Sequence, residues 1–300
     1  MKEEYLLDLE RYCVVALKGT RNMDKEDLIY KLKSSKVVRA LCLPNEVLKR
    51  NKIYKDYKNS ENPNVIKSLK DTHKGECCFI IGNGPSLSAA DLDRVAAKGI
   101  YSFGTNSIFK LFSHTDWRPD MYMSIDKEVI KSTKHVLEDG KIKNIWLDYG
   151  SRSTVKGDFK YFYNKVDFKL RKYCTDVITF SSDPSDFMGF GYTVTFTALQ
   201  MAIYMGFSKI YLIGMDHTVS HVVTSDGQLL VDNKIQNHFE KEKVHLYQAQ
   251  YKEGLEYAYS LARDYAEQMG IEIYNATRGG KLEVFKRIDF ETIFEDEGLK

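Results

Sequence analysis

Cys77-Cys78-Phe79-Ile80-Ile81-Gly82-Asn83-Gly84-Pro85-Ser86-Leu87 is an apolar run that ends in two glycines around an asparagine, with a serine close behind that can cap a helix. An apolar run of this length, bounded by turn residues, reads as a fully buried strand. A glycine turn between a strand and a helix is how α/β proteins bring backbone N–H groups to a phosphate. The stretch therefore predicts a strand–turn–helix unit and points to a nucleotide. The turn lacks the Lys-Ser/Thr ending of a P-loop and the full G-x-G-x-x-G spacing, so neither a P-loop ATPase nor a conventional dinucleotide enzyme is supported.

Outward from this unit, short β-rich runs lie at 100–104, 121–125, 144–147, 209–213 and 271–274, with weaker ones near Tyr161 and Val177. Segments of helical spacing fall between them, after Ser86 and at 193–205 and 247–269. Strands alternating with helices predict an α/β fold with a doubly wound, mostly parallel, Rossmann-like sheet. Residues 1–75 are rich in Lys, Glu and Asn, and helical spacing such as Leu6, Leu9 and Tyr12 predicts a helical N-terminal appendage. The expected division is this appendage at 1–75 and a nucleotide-binding catalytic domain at 76–300. A polar loop from Ser220 to about Lys243 carries an Asp226-Gly227 turn signal, in a short hairpin on one reading. Structureless loops of that length are uncommon in compact domains, which makes 218–246 a candidate lid.

Composition sets the outer bounds. A formal charge of +2 on 300 residues gives no strong field toward nucleic acid or anionic membrane. The basic and aromatic run from Lys160 to Lys169 lacks a recognised RNA-binding motif, so no nucleic-acid partner is expected. Five cysteines, two of them adjacent in the first strand, show no C-x-x-C spacing and suit reduced thiols in the cytoplasm. No segment approaches the roughly 20 apolar residues of a membrane span, so any membrane role is expected to be peripheral, at the inner face. Oligomeric state stays open.

Ligands in open α/β sheets sit outside the carboxyl ends of the strands, so the residues that follow each expected strand form the candidate site. These are Asn83 and Ser86; Thr105, Asn106 and Ser107; Ser124 and Asp126; Gly214, Asp216, His217 and Thr218; and Asn275 and Thr277. Asparagine both donates and accepts, which suits ribose hydroxyls and base edges. Asp126 and Asp216 at strand ends can hold Mg²⁺ against a nucleotide's phosphates, or each can simply cap a helix. His217, His221, His238 and His245 fall in or beside the lid, where an imidazole can act as general base or be merely solvated. Thr193 precedes a helix whose N-terminal N–H groups offer a second phosphate contact.

The turn at 82–87, the strand end Gly104-Thr105-Asn106, the stretch YTVTFTALQMAIYMGFSKIYLIGMD at 192–216 and NATRGGKL at 275–282 together resemble the DUF115 group, or MptE-like domain. That group includes the central domain of Maf flagellin glycosyltransferases and is similar in fold to family 42 bacterial sialyltransferases. The resemblance covers about residues 76–290. In the sialyltransferase-like branch it implies a CMP-sugar held at Gly82, Asn83, Gly84, Ser86 and Asn106, a histidine base (His217 or His238) and no metal. In the archaeal pterin branch it implies diphosphate transfer from ATP to a hydroxymethylpterin with Mg²⁺, and metal roles for Asp126 and Asp216. The expected function is a glycosyltransferase of surface-glycan or glycoprotein assembly, with a nucleotide sugar as donor and a glycan or glycoprotein as acceptor. The site is expected to comprise His217, His238 and Asp216 as catalytic residues, with Gly82, Asn83, Gly84, Pro85, Ser86, Asn106, Asp126 and Thr193 on the nucleotide. The diphosphokinase and a non-catalytic nucleotide-binding scaffold are the alternatives.

Overall fold

The computed structural model describes residues 36–166, 178–218, 221–223, 229–231 and 252–295. Helices α1 (Lys36–Lys58) and α2 (Asn62–Lys67) lead into β1 (Cys77–Ile81), α3 (Ala89–Lys98), β2 (Tyr101–Thr105) and β3 (Met121–Ser124). Then come α4 (Lys127–Ser132), α5 (Lys134–Leu137), β4 (Ile145–Asp148), β5 (Lys160–Phe162), β6 (Asn164–Lys165) and β7 (Met188–Gly189). The last part holds α6 (Val194–Tyr204), β8 (Lys209–Ile213), β9 (His221–Val223), β10 (Leu229–Val231), α7 (Lys252–Gln268), β11 (Glu272–Asn275), β12 (Lys286–Arg287) and α8 (Phe290–Ile293).

Eight strands form one sheet in the order β12-β11-β8-β1-β2-β3-β4-β5, and every pairing within it is parallel. The chain steps outward from β1 to β5, then returns to lay β8 against the other side of β1. That reversal is the topological switch point, where crossovers leave in opposite directions and open a crevice. Register aligns the three central strands, with Ile81 level with both Gly104 and Ile213. The segments that follow β1, β2 and β8 therefore emerge side by side.

All five β1 residues are buried, because helices cover both faces of the sheet. Alternation sends Cys78 and Ile80 into one apolar layer, with Tyr57, Ile66, Phe196 and Ala258. Cys77, Phe79 and Ile81 enter the other, with Leu92, Val95, Ile130 and Phe290. Burying each large apolar side chain contributes about 1.5–3 kcal/mol, so this strand anchors the domain. Helix α3 starts where its sequence dictates: Ser88 and Asp91 form a capping box, and Gly99 ends the helix in the left-handed region at φ 64°.

The N-terminal helices differ from the expectation of an appendage ending at residue 75. Tyr57 and Ile66 are fully buried within the main core. Tyr57 packs edge-on against Tyr149 at 5.4 Å and donates its hydroxyl to the Ser185 carbonyl. The described part of this region is thus a piece of one helical layer, a long-range packing that its polar composition conceals. Residues 1–35, the weak strand near Val177 and most of the expected lid lie outside the described residues. Of that lid, β9 and β10 form an antiparallel hairpin. Among the described residues no helix is long and apolar enough to cross a membrane.

Candidate functional site

The glycine turn is stitched to the segment that follows β8. Gly82 N–H donates to the Ile213 carbonyl and Gly84 N–H to the Gly214 carbonyl, both at 2.9 Å. Ser86 donates its N–H to the Asp216 carboxylate at 3.2 Å and its hydroxyl to the same group at 2.7 Å. This corrects the reason for the glycines: those N–H groups are committed to the protein and are not presented to a phosphate. A Cβ on Gly82 would lie 2.4 Å from the Gly214 oxygen, and one on Gly84 only 1.9 Å from an Asp216 carboxylate oxygen. Neither residue has a positive φ. Glycine is required here by the close approach of two backbones.

What the turn does present is Asn83. Its amide nitrogen donates to the carbonyl and hydroxyl of Thr105 on the neighbouring strand, at 3.0 and 3.3 Å. Its Oδ1 is buried and accepts no hydrogen bond. A buried acceptor left empty is unfavourable by about 1–3 kcal/mol, which a ligand donor at that point recovers. Asn106, at the end of β2, lies in the left-handed region at φ 46°. Ser124 donates to its Oδ1 at 3.0 Å, and the Tyr122 hydroxyl donates to its carbonyl at 2.7 Å. Both asparagines line an open cavity of about 140 Å³ at the switch point.

His217 lines the same cavity from the β8 side. Its side chain is 5 % exposed and its Nε2 lies 3.2 Å from Glu256 Oε1 on α7. Burial lowers the imidazole pKa below its ordinary value; the Glu256 carboxylate pulls it the other way without cancelling the shift. The ring is therefore neutral at pH 7. A carboxylate only accepts, so Nε2 carries the proton and Nδ1 keeps the lone pair. Thr193 caps α6 through the Thr195 N–H, and both threonines line the cavity with Val194, at the positive end of the helix. Tyr259 of α7 also reaches this wall.

Backbone strain gathers here. Among the described residues four non-glycines have positive φ, and three of them are Asn106, His217 and Tyr192, the residue before Thr193. Each such residue costs on the order of 1 kcal/mol and persists where its surroundings hold it. Part of that support comes from the 275–282 segment. The Thr277 hydroxyl accepts from Met215 N–H, and Lys281 N–H donates to the Asp216 carbonyl. Asn275 donates to the Leu282 carbonyl and accepts from Thr277 N–H. Asn275 and Thr277 thus brace the segment after β8.

Other expected residues fall elsewhere. Asp126 is exposed and caps α4, accepting from the Glu128 and Val129 N–H groups at 2.7 and 3.2 Å. It is not part of the cavity wall, because its strand β3 lies two places from β1 and its carboxylate is taken up locally. Asp216 does line the cavity, with its carboxylate engaged by Ser86. The pair therefore does not fit a shared Mg²⁺ site, and no cluster of three or more His, Cys, Asp or Glu suited to a metal occurs among the described residues. Pro85 is exposed and Ser86 points its polar atoms at Asp216, so both shape the turn without facing the cavity. His238 lies outside the described residues. Glu256 escaped the sequence reading because its partner is 39 residues away across a loop. A charged residue beside the apolar Leu255–Tyr259 face of α7 was its only trace.

The profile of the family described as 6-hydroxymethylpterin diphosphokinase MptE-like matches residues 51–221. Among solved structures, the chain is similar to the Maf glycosyltransferase from Magnetospirillum magneticum AMB-1, with 16% identity over 80% of this chain and 39% of that one and a TM-score of 0.45. It is also similar to the sialyltransferase CstII from Campylobacter jejuni, solved in complex with a substrate analogue, cytidine-5'-monophosphate. There the identity is 14% over 72% of this chain and 85% of that one, with a TM-score of 0.40. The chain spans well under half the length of the Maf glycosyltransferase chain. No curated relative matches it. The profile takes in more than half of the 300 residues, including the turn, both cavity asparagines and the His217 segment, and the chain belongs to the MptE-like family.

Proposed function

We propose that this chain transfers a sugar from a nucleotide-activated donor, such as a CMP-nonulosonate, to a hydroxyl of a glycan or glycoprotein. The observation that carries the reading is one cavity that joins the empty acceptor of Asn83 to a buried, neutral His217 held by Glu256. No lysine or arginine lines that cavity among the described residues. A nucleoside monophosphate ester, with one negative charge on its phosphate, suits such a wall better than a triphosphate does.

In this reading Asn83 Oδ1 accepts a hydrogen bond from the nucleoside, and Asn106 stands beside it. His217 Nδ1 takes the proton of the acceptor hydroxyl as that oxygen attacks the anomeric carbon. The bond from the anomeric carbon to the phosphate oxygen breaks, and the nucleotide leaves with the electron pair. The N-terminus of α6 at Val194 stabilises the departing negative charge. Inversion at the anomeric carbon follows from direct displacement, and the chain needs no cofactor for it.

A second reading rests on the family description, which names a diphosphokinase. Calorimetric titration with CMP, CTP and ATP, with and without Mg²⁺, separates the two. Sugar transfer expects CMP to bind without metal and Asn83→Ala to weaken it about tenfold, the loss of one buried hydrogen bond. Binding of Mg²⁺-ATP alone would move the assignment to diphosphate transfer, and binding of no nucleotide would leave a scaffold role.

A further inference from the structure

The basic residues of the chain are unevenly placed. Between Val47 and Lys70 stand seven lysines and arginines against two acids, on a chain whose whole formal charge is +2. Helix α1 sorts its side chains by face. Ile53, Tyr54 and Tyr57 turn inward onto the core, the Tyr54 ring lying tilted against Tyr163 at 5.1 Å. At about 3.6 residues per turn, Leu48, Lys52 and Lys55 fall on the opposite stripe, with Lys49 and Lys58 at its margins. Lys67 of α2 stands next to Lys58 across a shared surface cleft.

Among the described residues few carboxylates approach this face, and Asp183 and Asp186 share the cleft with Lys58 and Lys67. Asp186 takes Lys58 at 2.7 Å, and Asp56 is held by Arg152 at 3.3 Å. Lys49, Lys52, Lys55 and Lys67 are exposed, with no carboxylate partner among the described residues. Amid them Leu48 is 67 % exposed and Val47 37 %. Single-stranded nucleic acid is usually gripped by aromatic platforms and arginine forks interleaved with positive charge. On α1 the described tyrosines are turned inward. An aliphatic side chain set among flexible lysines is what the surface of an anionic bilayer takes: the hydrocarbon enters the interface, and the ammonium groups stay at headgroup level.

We propose that the outward face of α1, centred on Leu48, Lys52 and Lys55 and extended by Lys49 and Lys67, docks the protein on an anionic lipid surface. The inference is independent of the reaction assigned to the cavity.

Sedimentation of the full chain with phosphatidylcholine vesicles, with and without about one third phosphatidylserine, tests it. The expected result is binding to the anionic vesicles alone, weakened by salt. Lys52→Glu with Lys55→Glu lowers the partition coefficient roughly a hundredfold or more, from about fivefold per charge. Leu48→Ser lowers it by about fivefold. Lys52→Gln with Lys55→Gln serves as a milder pair, and unchanged circular dichroism shows that each variant is folded. Equal binding to neutral vesicles, binding to neither, or binding indifferent to the lysine pair would overturn the proposal. So would tight binding of a single-stranded oligonucleotide by a chain that ignores vesicles.

Discussion

The carboxyl ends of β1, β2 and β8 and those of β3 and β4 lie on the same edge of one sheet and carry the same kinds of residue, yet they have opposite uses. At β3 and β4 the carboxylates are satisfied by N–H groups no more than 16 residues away. Asp126 caps the helix that follows it, and Asp148 accepts from Gly150 N–H and Asn164 N–H at 3.0 Å each. At the switch point the partners are distant in sequence: Asn83 reaches Thr105 22 residues on, His217 reaches Glu256 39 on, and Ser86 reaches Asp216 130 on. One acceptor there, Asn83 Oδ1, stays empty. A strand-end carboxylate or amide becomes site material only where the fold brings in a second segment that prevents it from satisfying itself.

The comparison breaks first at His217. His217→Ala is expected to lower kcat for sugar transfer by about 10²- to 10⁴-fold with nucleotide affinity retained, the range of a lost general base. Glu256→Gln gives a smaller fall in kcat, because it disturbs only the tautomer. Both are read by steady-state assays beside calorimetry, and retained turnover in both variants would remove the base from this residue.

At the β4 end the expected effect is on stability. Burial pushes Asp148 up to about 6 from its ordinary 3.8, against the N–H donors and the Arg50 and Arg152 charges that pull it down. A raised folded pKa gives stability that is fully present below about pH 4 and is lost as pH rises through about 6. The shift corresponds to about 3 kcal/mol. Relative to Asp148→Asn, the natural chain should therefore lose about 3 kcal/mol between pH 4 and pH 7.5 in urea unfolding. A difference that does not change with pH would show the carboxylate to be equally ionised in both states.

Gly84→Ala tests the stitching of the turn. Its Cβ meets the Asp216 carboxylate, so a loss of about 1–3 kcal/mol in urea unfolding is expected, together with weaker nucleotide binding. The smallest effect belongs to Asp126→Ala, a lost helix cap of about 1 kcal/mol that leaves nucleotide binding unchanged. Should Asp126→Ala abolish nucleotide binding, the contrast between the two ends of the sheet would fail.

Much of the fold was legible because burial periodicity is local. The apolar run at Cys77–Ile81 and the alternation of strands with helices lie within a few residues of the features they specify, while the helix cap falls at Ser88, two residues beyond the serine of the turn. The site was legible in part. Asn83, Asn106 and His217 could be collected because each follows a strand, but the same rule also collected Asp126, since the strand order that separates β3 from β1 is absent from local pattern. The role of the N-terminal helices was misread for a related reason. Tyr57 is buried by Tyr149 and Ser185, neither of which is near it in sequence.

By itself, the sequence determined that Gly82–Ser86 is a tight turn after a buried central strand, because an apolar run followed by glycine, asparagine and proline admits little else. Tertiary structure decided what that turn is for. Parallel pairing of β1 with β8 brings Gly214–Asp216 against it, and the backbones approach so closely that only glycine fits. The N–H groups of Gly82, Gly84 and Ser86 are taken up in that contact, and the Asn83 side chain is left with an unmatched buried acceptor at the cavity. Hydrogen bonds follow distance in space, and only the strand order sets that distance.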